Sequence, residues 1–262
     1  MSALLAAVAL GAALPALAEA DALYARRADA GNVDAALALY RRALVGDAAN
    51  GEALSKLLRA LHFKGAFSAA AAPVRNAAFD EGRRLGQAFV EGNERALGNR
   101  RSERIAVLRR VPHAAEVYFW TAACWGQWAL GRGKLAAARE GVAGKLRDLA
   151  QTVIDLDAGL EEGGGDRVLG RLHHQAPRIP FLTGWVSKQK ALVHLRRSYA
   201  IAPNNSATRF FLADAILDLE PRSREEALRL LRACRDDPPR PEYLVEDRFY
   251  AEEARRRLAG LP

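Results

Sequence analysis

Small and large apolar residues recur along this chain at spacings of four and three, the period of one face of an α-helix. In "GNVDAALALYRRALVGDAAN" the series is Ala36, Tyr40, Ala43. It returns as Ala191, Leu195, Ser198 in "KALVHLRRSYAIAPNN", and as Ala227, Leu231, Cys234 in "SREEALRLLRAC". A large side chain flanked by small ones lets two helices approach closely around a single filler. Each series therefore predicts the second helix of a helical hairpin. The stops have mechanisms too. Pro203 and the pair Pro238-Pro239 cannot continue a helix interior, and Gly31 opens a turn.

Hairpins repeating at about 34 residues are the signature of the tetratricopeptide repeat. The first unit pairs a helix over roughly residues 17–29 with the one carrying Tyr40. Next come "NGEALSKLLRALHFKG", stopped at Gly65, and "AAPVRNAAFDEGRRLGQAFVEG", with Pro73 in its first turn. "AAEVYFWTAACWGQWALGRG" is an aromatic first helix, and Leu135–Asp157 its partner. Leu212 and Ala213 supply the large–small pair of a later first helix. A final polar helix, about Glu242 to Leu258, reads as a cap. The expected fold is all-α: an irregular tetratricopeptide-like α-solenoid of about five helical hairpins with a C-terminal cap helix, forming one domain over residues 19–262.

One hairpin breaks the spacing. Gly170 and Ala191 hold the small positions that lie about twelve residues apart in a standard unit, yet they are 21 apart. The excess centres on "APRIPFLTGW", where Pro177 and Pro180 stiffen a loop and Gly184 permits a turn. Phe181 and Trp185 either plug the end of the array or serve a function from a loop held on a rigid scaffold. Tyr118, Trp120, Trp125 and Trp128 pose a similar choice. Tyr118 and Trp125 share a helix face, as do Trp125 and Trp128, and all four cannot point one way. They either pack between repeats or line a ligand or partner groove for a small organic molecule.

Composition supports helix. The 54 Ala residues cost no side-chain entropy in a helix. The net charge is +8, carried mostly by 33 Arg against 6 Lys. Acids lie among the short basic blocks and no aromatic-studded stripe appears, so no nucleic-acid partner is expected. "LLAAVALGAALPALAEA" resembles a signal-peptide core with an Ala16-Leu17-Ala18 cleavage pattern but lacks a basic leader. Residues 1–18 are thus a signal peptide or part of a first helix. No Cys lies there, so a lipid anchor on this segment is not expected. Cys124 and Cys234 match no metal or redox spacing and read as buried free thiols, with a disulfide the alternative if the protein is exported.

Catalytic chemistry is thin. The adjacent His173 and His174 diverge by about 100° on a helix and do not chelate one metal together. No HExxH, GxSxG or phosphate-loop motif occurs. "GGGD" at Gly163–Asp166 reads as a flexible link with Asp166 as a helix N-cap. No enzyme, cofactor or metal is expected.

The order "DEG" at Asp80–Gly82, "YFW", "WGQW", "GGGDRVLGRL", "APRIPF", "GW", "KA" and "IAPNN" resembles the T-component (TatT) family of TRAP transporters over roughly residues 20–235. The resemblance implies an all-helical periplasmic protein, in some members a trimer, that associates with the solute-binding (P) component of the transporter and with its ligand. The lipobox Cys of anchored members is missing here. The alternatives are a general tetratricopeptide scaffold, in the periplasm or the cytoplasm, with an unrelated partner, and a small-molecule binding protein that uses the aromatic groove.

Overall fold

The structure is a computed structural model that describes residues 17–68, 71–95, 100–181 and 183–261. Most of the 1–18 segment read as a leader lies outside the described residues. The chain divides into two compact units, Met1–Gly131 and Arg132–Pro262. Among the described residues there is helix and turn but no strand, and no helix is long and apolar enough to cross a membrane.

The first unit holds α1 (17–25), α2 (Asn32–Gly46), α3 (Gly51–Phe67), α4 (Ala72–Arg95), α5 (Arg101–Leu108) and α6 (Ala114–Arg132), the last residue of which belongs to the second unit. The series Ala36, Tyr40, Ala43 is buried as the spacing predicts. Tyr40 donates to Asp21 on α1 at 2.7 Å, and Lys56 on α3 reaches the same carboxylate at 2.7 Å, so one acid ties three helices. Asn50 caps α3 by accepting from Ala53 N–H at 2.9 Å. Helix α3 continues past Gly65 to Phe67. Gly65 is no stop signal but a contact point, because a Cβ there would meet the Phe79 ring of α4 at 2.5 Å. Helix α6 lies on α4 in the same manner: a Cβ on Gly82 would meet Cys124 Sγ at 2.5 Å, and one on Gly86 would collide with Thr121. The short helix α5 was not expected from the pattern.

The second unit holds α7 (Lys134–Arg139), α8 (Val142–Leu156), α9 (Leu160–Gln175), α10 (Lys188–Ile201), α11 (Ser206–Leu219), α12 (Arg224–Asp236) and α13 (Leu244–Ala259). The single helix expected over Leu135–Asp157 is broken at Gly141, whose φ of 62° leaves the right-handed helical region. Successive helices pack pairwise from α8 to α13, and α13 also touches α11. The series Ala191, Leu195, Ser198 and Ala227, Leu231, Cys234 are all buried, as are Leu212 and Ala213. Asn205 caps α11 by accepting from Thr208 N–H at 2.8 Å. In α13 the buried positions are Asp247 and Ala254, which suits a terminal helix covered on one side. Both cysteines are free and buried.

Leu195 fills the space that Gly170 leaves open, a Cβ at Gly170 lying 2.5 Å from Leu195 Cγ. Truncating this fully buried side chain opens a cavity. We expect Leu195→Ala to cost ~2–5 kcal/mol, read as a lower midpoint in urea unfolding followed by circular dichroism.

Candidate functional site

The hairpin that carries the long connection of the second unit opens with an irregular turn at the start of α9. Glu161, Glu162 and Gly163 adopt left-handed backbone angles within that helix. The irregular turn leaves carbonyls outside the helical ladder. Arg167 engages two of them, donating to Glu161 O at 2.9 Å and Glu162 O at 3.1 Å. The glycines that follow are packing residues. A Cβ on Gly163 would stand 3.0 Å from Ser198 Cα, and one on Gly165 2.7 Å from Ile154 Cγ1. The flexible-link reading of Gly163–Asp166 is therefore corrected, and Asp166 is not an N-cap. It lies inside α9, 4 % exposed, with His194 Nδ1 of α10 at 2.6 Å from its carboxylate.

From Asp166 a column of side chains runs to the loop. His194 stacks parallel on His173, with ring centroids 5.7 Å apart at 10°. Trp185 meets His173 edge-on at 5.6 Å, and Arg147 of α8 lies 4.7 Å over the Trp185 ring. His173 Nδ1 accepts from Ser187 N–H at 3.2 Å, which requires that nitrogen to be unprotonated. Burial, reinforced by the charges of His194 and Lys190, lowers the His173 pKa to about 4. The loop end that carries Trp185 and Ser187 is thus fastened to the helices by a neutral imidazole. Asp166 and His173 are seven residues apart, two turns on one helix face. That spacing was the available sequence signal for this column, and it was missed.

The loop itself is internally bonded. Thr183 accepts from Ile179 N–H at 2.8 Å, donates to Pro177 O at 2.5 Å, and its own N–H reaches Ile179 O at 2.8 Å. Arg178 donates across the loop to Gly184 O at 3.0 Å. Phe181 stands out from this frame fully exposed, with φ at 62°.

The remaining aromatics named from the sequence sit in the first unit. Tyr118, Trp125 and Trp128 are buried and Trp120 is half-buried. Trp125 and Trp128 meet edge-on at 5.4 Å, with Arg83 over both rings at 4.6 and 4.5 Å, and Trp125 Nε1 donates to Gln87 at 3.1 Å. Trp120 faces elsewhere, against His62 at 5.4 Å and Phe119 at 4.8 Å. Neighbouring side chains thus meet all three indole rings.

A second polar group links α9, α11 and α13. His174 Nε2 lies 3.0 Å from Asp218, Arg171 3.3 Å from Asp214, and Arg257 reaches both carboxylates at 3.1 and 3.3 Å. Ligand atoms of His174, Asp214 and Asp218 fall within 4.8 Å of one another, close enough for one cation. The two guanidiniums already neutralise the carboxylates, however, and a cation would have to displace them. Burial pushes the Cys234 thiol up to about 12 and Cys124 higher still, so neither is a poised nucleophile.

Both His173 and His174 have lowered pKa values, with burial the first cause in each. The unfolded chain binds protons at the ordinary imidazole pKa near ~6.5 and the folded chain does not. Stability accordingly rises with pH between about 4 and 6.5. We expect the melting temperature to fall as pH drops from about 7 to 4.5, and His173→Gln to reduce that slope. Differential scanning calorimetry across pH checks both.

No family model matches the chain, and no curated protein does. Among solved structures, the chain is similar to a thermophilic TPR protein from Thermus thermophilus, with a TM-score of 0.57 at 16 % identity over 94 % of this chain and 97 % of that one. At that identity the likeness shows the fold alone: this chain has the all-α, tetratricopeptide-like helical-repeat fold.

Proposed function

We propose that the chain is a non-enzymatic protein-binding module. The observation that carries this is the α9–α10 connection: within a tetratricopeptide-like hairpin, where a tight turn would close the unit, the chain builds a braced loop that presents Phe181 to solvent. Loops on rigid helical scaffolds are where such proteins place recognition. The thiols are buried and protonated, and the Asp166–His194 pair, which would suit a general base, is stacked on His173 and holds the loop.

The finer reading follows from the resemblance to the T-component family of TRAP transporters. On that reading the partner is the solute-binding component of such a transporter, in the periplasm, and the solute is held or passed between them without a bond being made. Its support is that the most specific stretch of the resemblance, Gly163–Asn205, covers one continuous hairpin and its loop. The fold by itself favours the broader reading, a scaffold whose partner is unrelated to transport.

Affinity capture from the periplasmic fraction of the source organism, read by mass spectrometry, separates the two. Recovery of an extracytoplasmic solute-binding protein supports the transport role. Residence in the cytoplasm with other partners leaves the scaffold and removes the transport role.

A further inference from the structure

The loop between α9 and α10 has three properties that together say what it docks against. The first is an aromatic side chain with no protein cover. Phe181 has a relative exposure of 107 %, and Ile179 beside it is also exposed. The second is backbone geometry that keeps it there. Phe181 occupies the left-handed region at φ 62°, which L-residues with bulky side chains avoid. Hydrogen bonds from Thr183 and Arg178 close the loop around it. An aromatic ring held outward in a costly conformation is a pre-organised anchor. Little ordering remains to be done on binding.

The third property is charge. Between Asp166 and Asp214 the chain carries eight Lys and Arg and no Asp or Glu, which equals the net charge of the whole protein, +8. Some of these cations are neutralised by acids from outside the segment: Arg171 by Asp214, Arg196 by Glu220 and Glu226, and Arg209 by Asp237. The ones that flank the tip are not. Arg178 and Lys188 donate to backbone carbonyls, of Gly184 and His174, and among the described residues no carboxylate pairs with Arg178, Lys188 or Lys190.

We infer that Phe181 is a docking anchor whose partner is a protein surface with an apolar pocket rimmed by carboxylates, the ring entering the pocket while Arg178, Lys188 and Lys190 face the acids. The inference rests on the protein-binding reading above and names the element and the partner chemistry. A protein pocket suits the loop better than an anionic lipid surface. Membrane insertion gains from several apolar side chains and does not need one ring in a fixed backbone geometry, whereas a pocket does.

The test places the photo-crosslinker benzoylphenylalanine at position 181 of the full chain in its source organism, with control positions 45 and 135. Val45 and Leu135 are exposed apolar residues distant from the loop in sequence. The expected result is one protein adduct from position 181, mapped by peptide sequencing to apolar residues bordered by Asp or Glu. With that partner purified, Phe181→Ala should weaken binding at least ~tenfold without altering the circular dichroism, and Lys188→Glu with Lys190→Glu should weaken it further and flatten its salt dependence. An adduct mapped to a basic or pocketless surface overturns the inference. Adducts from position 45 or 135 but none from 181 also overturn it and leave the protein-binding reading intact. No adduct at any position removes both. Phe181-dependent co-sedimentation with phosphatidylglycerol vesicles, with no protein adduct, assigns the loop to membranes and overturns the inference as well.

Discussion

Close approach of helix backbones is the constraint on which the rest of the architecture depends. At Gly65, Gly82, Gly86, Gly165 and Gly170 the missing side chain is the space into which a neighbouring helix places Phe79, Cys124, Thr121, Ile154 and Leu195. Helices brought this near exclude water from the small-residue faces, and the Ala-rich composition follows from the same need. The favourable term is dispersion and apolar burial over many short contacts. The buried acids inside the hairpins find partners, as Asp166 and Asp247 do.

The helical hairpins were legible because their signal is local. Four-and-three spacing fixes a helix face, and the residues it named at Tyr40, Leu195 and Leu231 are fully buried. What failed depends on backbone conformation or on partners distant in sequence. Gly141 breaks a helix that its neighbours' periodicity extends straight through, and Gly65 does not end one. A glycine reads alike whether it turns the chain or admits a ring. The three consecutive left-handed residues at the start of α9, two of them glutamates, contradict residue preference and persist because Arg167 satisfies the turn's carbonyls.

The candidate site was half legible. The excess length between Gly170 and Ala191 marked the loop, and Phe181 and Trp185 were named from it. Their different fates were not visible. Trp185 packs on His173 because the Asp166–His194–His173 column provides a polar-edged surface for it. The seven-residue spacing of Asp166 and His173 puts both on one face of α9, but the link to His194, 28 positions from Asp166, is not local. Phe181 stands exposed at a left-handed backbone position, which composition does not encode.

The loop is fastened at one end and free at the other. Trp185 and Ser187 are committed to the helices through His173, whereas Phe181 contributes no burial to the fold. Substitutions at the tip are therefore nearly free of consequence for folding, while those at the fastening are not. Over evolutionary time such a division lets the identity of the recognised surface drift from lineage to lineage while the helical frame is held under constant selection.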